Sequence, residues 1–494
     1  MFLGIDLGTS AVKAVVTDGA GRVLDEATAP LALSRPEPLW CEQDPEAWWQ
    51  AADKAVRALA TRGHTAGVRA LGLSGQMHGA VLLGDDERPL RPAILWNDGR
   101  SAAACRELEA RVPGSRQITG NRAMPGFTAP KLLWVREHEP EIFARTRRVL
   151  LPKDTLRLRL TGEAVSDASD ASGTLWLDVG ARRWSETMLE ACGLELRAMP
   201  RLVEGSEPSG RLRAEVASAW GLERVPVAGG AGDQAAGAIG AGVIRPGQAS
   251  LSLGTSGVLF VADERFRPHP ERAVHAFCHA LPGRWHQMSV ILSAASCFGW
   301  VTRLTGAPDE AALLEEIESG SGPSPRLLFL PYLSGERTPH DDPDATGVFV
   351  GLDHATDRAA LGRAVLEGVA FALADGQQAL LESGACLDEI SVIGGGSRSP
   401  LWARILASVL QRPLDYRAGG SVGPALGAAR LARLALGEEP AESVCVAPPL
   451  ERVVEPEPDW VDAYAERLAR FRELYHRLAP QQPAAPDATG EEHA

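Results

Sequence analysis

GIDLGTSAVK, residues 4–13, and LSLGTSGVLF, residues 251–260, share the core Leu-Gly-Thr-Ser and lie about half a chain apart. Apolar runs flank a glycine in both copies, so each reads as strand–turn–strand, turned at Gly8 and at Gly254. The repetition points to two similarly built domains, each opening on this hairpin. Strand-like and helix-like segments alternate through the rest of the chain, the pattern of an α/β protein. Residues 2–6, 12–17, 68–73, 80–83 and 390–393 read as strands. Residues 45–59 read as a helix with Asp44 as its cap and Pro45 in first position, and 361–381 and 399–410 as further helices. The expected division is 1–245 and 246–477, with the boundary in the turn-rich VIRPGQ, residues 243–248. The polar, Pro/Ala-rich residues 478–494 are expected to form a disordered tail.

Bulk properties narrow the function. The 494 residues allow more than one substantial core. A net charge of −14 without a basic stripe argues against nucleic acid as a partner. No run of 18 apolar residues offers a membrane span, and the chain opens directly on a structured segment, so no signal peptide is expected. The seven cysteines are scattered, without zinc spacing or a disulfide framework, and fit buried free thiols in a reducing cytoplasm. Lysine is scarce beside arginine, which makes each lysine worth locating.

A glycine turn brings backbone N–H groups close to a ligand, and Thr and Ser add hydroxyls, so such a turn can form a small anion-binding concavity. Gly8, Thr9 and Ser10 facing Gly254, Thr255 and Ser256 could hold a polyphosphate from both sides, with Lys13 just behind the first turn. Either turn alone is also what an ordinary hairpin looks like. Asp6 in the first copy is Ser252 in the second. A phosphate chain needs about one divalent cation, so one carboxylate suffices; a structural Asp bonded to nearby backbone is the plainer reading of Asp6.

VPVAGGAGDQAAGAIGAG, residues 225–242, reads as strand, Gly-rich turn and helix. Its G-x-G-x-x-A core lacks the acidic residue about 20 positions on that a dinucleotide site needs, so NAD is not expected. GGSVG, residues 419–423, matches a hydrolase elbow at Ser421 only if His476 or His493 serves it. No Walker A motif is present. Asp233 itself stands at the strand-to-helix turn. It reads either as a helix N-cap or as a carboxylate aimed into the crevice where α/β proteins bind ligands. The helix N-terminus is expected to keep it ionised, with a low pKa that suits phosphoryl transfer. His78, in GQMHG, reads as a turn histidine; a neutral imidazole there could both donate to and accept from sugar hydroxyls.

Taken together, GIDLGTS, FTAPKLLW (127–134), SLGTSG (252–257) and IGGGSRSPLW (393–402) resemble the FGGY carbohydrate kinases across about residues 1–477. The resemblance implies the duplicated actin/hexokinase-like, ribonuclease H-like fold around a central cleft. WCEQDPEAWW (40–49), SGQMHGAVLL (74–83), ILWNDGR (94–100), GAGDQAAGAIG (230–240) and FLPYLSGERTPH (329–340) are similar to the members that act on D-xylulose. The implied reaction is MgATP-dependent phosphorylation of the sugar at its C5 hydroxyl, with Asp233 as proton acceptor. Met77, His78, Asp233 and Gln234 would bind the sugar, and Asp6 and Asp233 the Mg²⁺. Gly8, Thr9, Ser10, Lys13, Gly254, Thr255 and Ser256 would hold ATP phosphates, and Gly394, Gly395 and Gly396 would border the adenosine. Sugar and ATP are then the partners, with a homodimer admitted. Another ketose or polyol such as ribulose or glycerol, or an actin-like nucleotide-dependent assembly protein, are the alternatives.

Overall fold

The computed structural model describes residues 1–320, 326–394, 396, 399–418 and 423–478. Residues 479–494, most of the expected tail, lie outside the described residues, as do Gly395, His493 and residues 419–422 with Ser421. Leu478 closes the helix Pro458–Leu478 and so is not part of a tail.

The repeated hairpin builds the same core twice. Phe2–Leu7 pairs antiparallel with Ala11–Thr17 and parallel with Ala70–Gly75, which sets Asp6 opposite Lys13 and beside Ser74. Gln248–Leu253 pairs antiparallel with Gly257–Asp263 and parallel with Glu389–Ile393, which sets Ser252 opposite Val258 and beside Ile393. Each hairpin continues antiparallel into a third strand, Val23–Pro30 or Trp285–Ile291. Each belongs to a seven-stranded sheet. The chain is thus a two-domain α/β protein, as the duplication implies.

Helices cover these sheets because their apolar faces match. Pro45–Thr61 starts where expected, with Asp44 accepting from the Glu46 N–H, and buries Trp48, Ala52, Val56 and Leu59 against the first core. Arg358–Glu382 buries Val365, Val369 and Leu373 in the second. Full burial of each such side chain contributes roughly 1.5–3 kcal/mol. Ser399 caps the helix Pro400–Leu410 by accepting from the Trp402 N–H. Val81–Leu83 is a strand, but it pairs with Arg148–Leu150 and stays outside the large sheet.

One helix crosses between the halves. Gly423–Leu434 comes late in the chain, yet it packs on the first sheet through Ala425, Leu426, Ala429 and Ala432 against Phe2, Val15 and Ala70. Small residues permit this approach. A Cβ on Gly4 would stand 2.0 Å from the Ala425 carbonyl oxygen, and one on Gly72 1.9 Å from that of Ala428. Among the described residues no helix is long and apolar enough to cross a membrane. All seven cysteines are free; six are buried as expected and Cys386 is exposed.

Candidate active site

The parallel pairing of Ala70–Gly75 with Ala231–Gly232 leads directly into Asp233, which lines an inner cavity at the start of the helix Asp233–Ala241. Met77, His78, Asp233, Gln234 and Ser256 line one cavity of about 130 Å³, with Trp96, His275 and Arg337 completing its polar wall. This brings together residues that the sequence places in both halves.

Asp233 is not a helix cap. Gly232 holds that position and Asp233 is the first helical residue. Nor does the helix N-terminus keep its pKa low. Burial raises it to about 7, the Asp6 charge adds to the rise, and hydrogen bonds from the Gln234 backbone and side chain only partly offset it. Dipole stabilisation is of order 0.3–1 kcal/mol at an exposed helix end, too little against the desolvation of a carboxylate set in the cavity wall, although Asp233 is only half-buried by surface exposure. Asp6 is likewise raised to about 6 by burial, with the Ser74 hydroxyl, donating at 2.9 Å, and Lys13 pulling it down.

Both carboxylates hold their protons more tightly folded than unfolded. They therefore stabilise the fold at low pH, and that contribution is lost as pH rises through about 6 to 7. Metal-free Asp233→Asn is expected to melt above the wild type at pH 8 by roughly 2–8 °C, the response to about 1–2 kcal/mol of relieved charge burial. The gap should close toward pH 4; equal melting temperatures at both pH values would show that Asp233 is not a strained charge.

His78 departs from the sequence expectation in burial and in bonding. It is half-buried by surface exposure, with φ +67°, and burial holds its imidazole down to about 3, so the ring is neutral. Its Nδ1 lies 2.7 Å from the Gly173 carbonyl oxygen, which can only accept. The proton therefore sits on Nδ1, and Nε2 can accept from a ligand hydroxyl but not also donate to one. Gly173 has to be glycine for this: a Cβ would stand 2.4 Å from that nitrogen. Lys131, inside FTAPKLLW, donates to the carbonyls of His78 (2.8 Å) and Gly126 (2.7 Å) and so pins the His78 turn from behind.

The first glycine turn is clamped from outside. Gln43 donates to the Thr9 carbonyl at 2.7 Å and accepts from Trp48 Nε1 at 2.9 Å. Thr9 Oγ1 donates to Gln76 Oε1 (3.1 Å) and accepts from Trp96 Nε1 (2.9 Å). Its hydroxyl proton is thus committed to Gln76 and not offered to an anion, contrary to expectation. The Gly8 N–H is spent on the Ala11 carbonyl and the Gly254 N–H on that of Ser256. The second turn is buttressed by Ala294, Ala295 and Ser296, which donate to the carbonyls of Thr255 and Gly254. Gly394 and Gly396 lie beside Leu253, at the foot of the second turn and outside the small cavity.

Sequence reasoning missed Trp96, Lys131, His275 and Arg337, and also Lys153. The ammonium of Lys153 lies 2.5 Å from Asp154, 2.8 Å from Asp167 and 3.4 Å from Asp170, all fully buried. These three carboxylates form the cation-ligating cluster found among the described residues, but the lysine already occupies it. Asp167 also accepts from the Ser169 hydroxyl, and Ser169 Oγ accepts from the Gly232 N–H at 3.3 Å, one residue before Asp233. Lysine scarcity was the available signal for Lys131 and Lys153.

The chain is similar to known proteins along most of its length. Residues 1–240 match the N-terminal domain of the FGGY family of carbohydrate kinases and residues 249–436 its C-terminal domain. The xylulose kinase of Escherichia coli (strain K12) is 55% identical over 481 residues, covering 97% of this chain and 99% of the relative. That of Bacillus subtilis (strain 168) is 38% identical, covering 88% of each. The crystal structure of a xyloylose kinase from Brucella ovis superposes with a TM-score of 0.93 at 51% identity, covering 97% of this chain and 99% of that one.

Proposed function

The chain belongs to the FGGY family of carbohydrate kinases, and from that premise we propose that it transfers the terminal phosphoryl group of ATP to the C5 hydroxyl of D-xylulose, giving D-xylulose 5-phosphate. The observation that carries the reading is Asp233. A carboxylate with a pKa of about 7 stands in a sugar-sized cavity beside Met77, His78 and Gln234, next to the paired glycine turns. Likeness to xylulose kinases along 97% of the chain supports the choice of sugar.

In this reading the C5 hydroxyl donates to the Asp233 carboxylate, which takes the proton as the new O–P bond forms and the bond to the leaving ADP oxygen breaks. The Gln234 amide orients that hydroxyl, and His78 Nε2 accepts from another. The backbone N–H groups of Thr9, Ser10, Thr255 and Ser256, with Lys13, receive the phosphates. Gly394 and Gly396 border the adenosine. Residues 1–245 supply Met77, His78, Trp96, Asp233 and Gln234 to the sugar pocket, but residues 246–477 supply Ser256, His275 and Arg337 as well, so the pocket is shared and not confined to the first half as expected; most of the nucleotide site falls to the second half in this reading. Closure of the cleft excludes water, which would otherwise take the phosphoryl group.

Asp6 and Asp233 fit a Mg²⁺ ion. Two half-buried carboxylates, with the charge of Asp6 felt at Asp233, would supply the hard oxygens that Mg²⁺ takes, and Mg²⁺ would neutralise phosphate charge. Asp6→Asn should raise the Mg²⁺ concentration for half-maximal rate by about tenfold, or about 1.4 kcal/mol. An unchanged magnesium titration would remove Asp6 from the metal site. Seven unpaired cysteines support a reducing compartment, the cytoplasm, as the place of action.

The test is ADP release from MgATP with purified protein and D-xylulose, L-ribulose, D-ribulose, glycerol or no sugar. A rate with D-xylulose well above the rest is expected. A higher rate with another acceptor would move the substrate, and a sugar-independent rate would end the kinase reading.

A further inference from the structure

We infer that Arg337 is a specificity-determining residue of the acceptor site, its guanidinium reading the adjacent C1 oxygen and C2 carbonyl of a 2-ketose. The inference rests on the phosphotransfer reading above. Its starting point is position. Arg337 and Trp96 line both the inner cavity and the adjoining outer cleft of about 950 Å³, whereas Asp233 and Gln234 line only the inner one. Arg337 therefore stands at the mouth, and a linear sugar with its C5 end at Asp233 presents its other end there.

Glu336 and Asp341 attract the guanidinium through space, but neither pairs with it. Among the described residues Arg337 makes no ion pair, although it is half-buried. Its neighbour Glu336 is a weak counter-charge: burial pushes that carboxyl up to about 8 even though Arg337 pulls it down, and its Oε1 accepts from the backbone N–H groups of Leu292 (3.1 Å) and Arg337 (2.7 Å). Asp341 is taken by Arg122 at 3.1 Å. Donors held partly out of water without acceptors are costly, and ligand oxygens relieve that cost.

The side chain is also aimed. Asn121 Nδ2 donates to the carbonyls of Thr119 (2.7 Å) and Ala276 (2.9 Å), which leaves its Oδ1 as an acceptor. That oxygen lies 3.1 Å from His275 Nδ1, so Nδ1 carries the proton. His275 Nε2 is then a lone pair, and Arg337 Nη1 donates to it at 3.3 Å. The His275 ring stacks on Phe277 at 5.6 Å, and the next residue, Thr338, is tied to Val290 through its N–H and its hydroxyl oxygen. Asn121 and His275 lie on opposite sides of the expected boundary near residue 245, so this relay aims the arginine only when the two halves are together. The remaining N–H groups form a planar, donor-only fork, which matches two neighbouring acceptor oxygens. A carbonyl is purely an acceptor; a polyol hydroxyl at C2 is neither planar nor fixed.

The test compares wild type with Arg337→Lys, which keeps the charge and loses the fork. The KM for D-xylulose should rise at least tenfold while the KM for MgATP stays within twofold. The Ki of xylitol as a competitor, which lacks the carbonyl, should rise less than threefold. His275→Gln should shift the KM in the same direction by a smaller factor, and serves if Arg337→Lys does not fold. An unchanged KM for D-xylulose in an active Arg337→Lys protein, or equal rises for ketose and polyol, would overturn the inference while leaving the kinase reading intact. Absence of D-xylulose-dependent ADP release in the wild type would instead overturn the reading on which it rests.

Discussion

Asp233→Asn is expected to lower kcat for D-xylulose phosphorylation by about 10³–10⁴-fold, near the upper end of what general base catalysis supplies. The substitution keeps the side chain's shape and removes its ability to take the proton. ATP binding measured without magnesium should stay within about threefold, because the proposed phosphate contacts come from the two hairpin turns and not from Asp233. The wild-type profile carries its own signature. With a carboxyl pKa of about 7, set by burial and then by Asp6, the base is protonated on the acid side. kcat/KM should therefore climb tenfold per pH unit below about 7 and level off above it. A bound metal ion would draw this limb lower, so the limb should move with magnesium concentration. If Asp233→Asn keeps the acid limb and a rate within tenfold of wild type, another group takes the proton.

Lys153→Met should destabilise the protein by about 3–5 kcal/mol, the usual consequence of removing one partner from a buried charge cluster. The ammonium lies among Asp154, Asp167 and Asp170, and all four side chains are fully buried. The three charges raise the lysine's pKa against the pull of burial. Without it, the carboxylates face one another in the interior. Asp170 is already raised well above its ordinary value, by burial first. In the variant the folded state would bind protons more tightly still, so its deficit should be largest at pH 8 and shrink toward pH 5. The urea midpoint at both pH values checks this. A midpoint equal to wild type at pH 8 would show that the cluster contributes nothing net. Because Asp167 reaches the Gly232 N–H through Ser169, the folded variant should also lose turnover.

Much of this protein is written in short-range patterns. The hairpin turns at Gly8 and Gly254, the Asp44 and Ser399 caps and the strand-turn-helix around Asp233 depend on residues within a few positions of one another. Local backbone preference and hydrogen bonding decide such features, and here they turned out as the sequence implied. The repeat of Leu-Gly-Thr-Ser added one long-range fact, because two copies of one local pattern imply two copies of its surroundings. What went unread depends on partners far away in the chain. The acidity of Asp233 is set by burial and by Asp6. The tautomer of His78 is set by Gly173, the aim of Arg337 by Asn121 and His275, and the place of the helix Gly423–Leu434 by Gly4 and Gly72. Sequence alone determined the duplicated α/β frame and singled out Asp233 within it. Only the tertiary structure decided that carboxylate's charge and its neighbours' hydrogen-bonding roles, because desolvation and Coulomb interaction act through space and not along the chain.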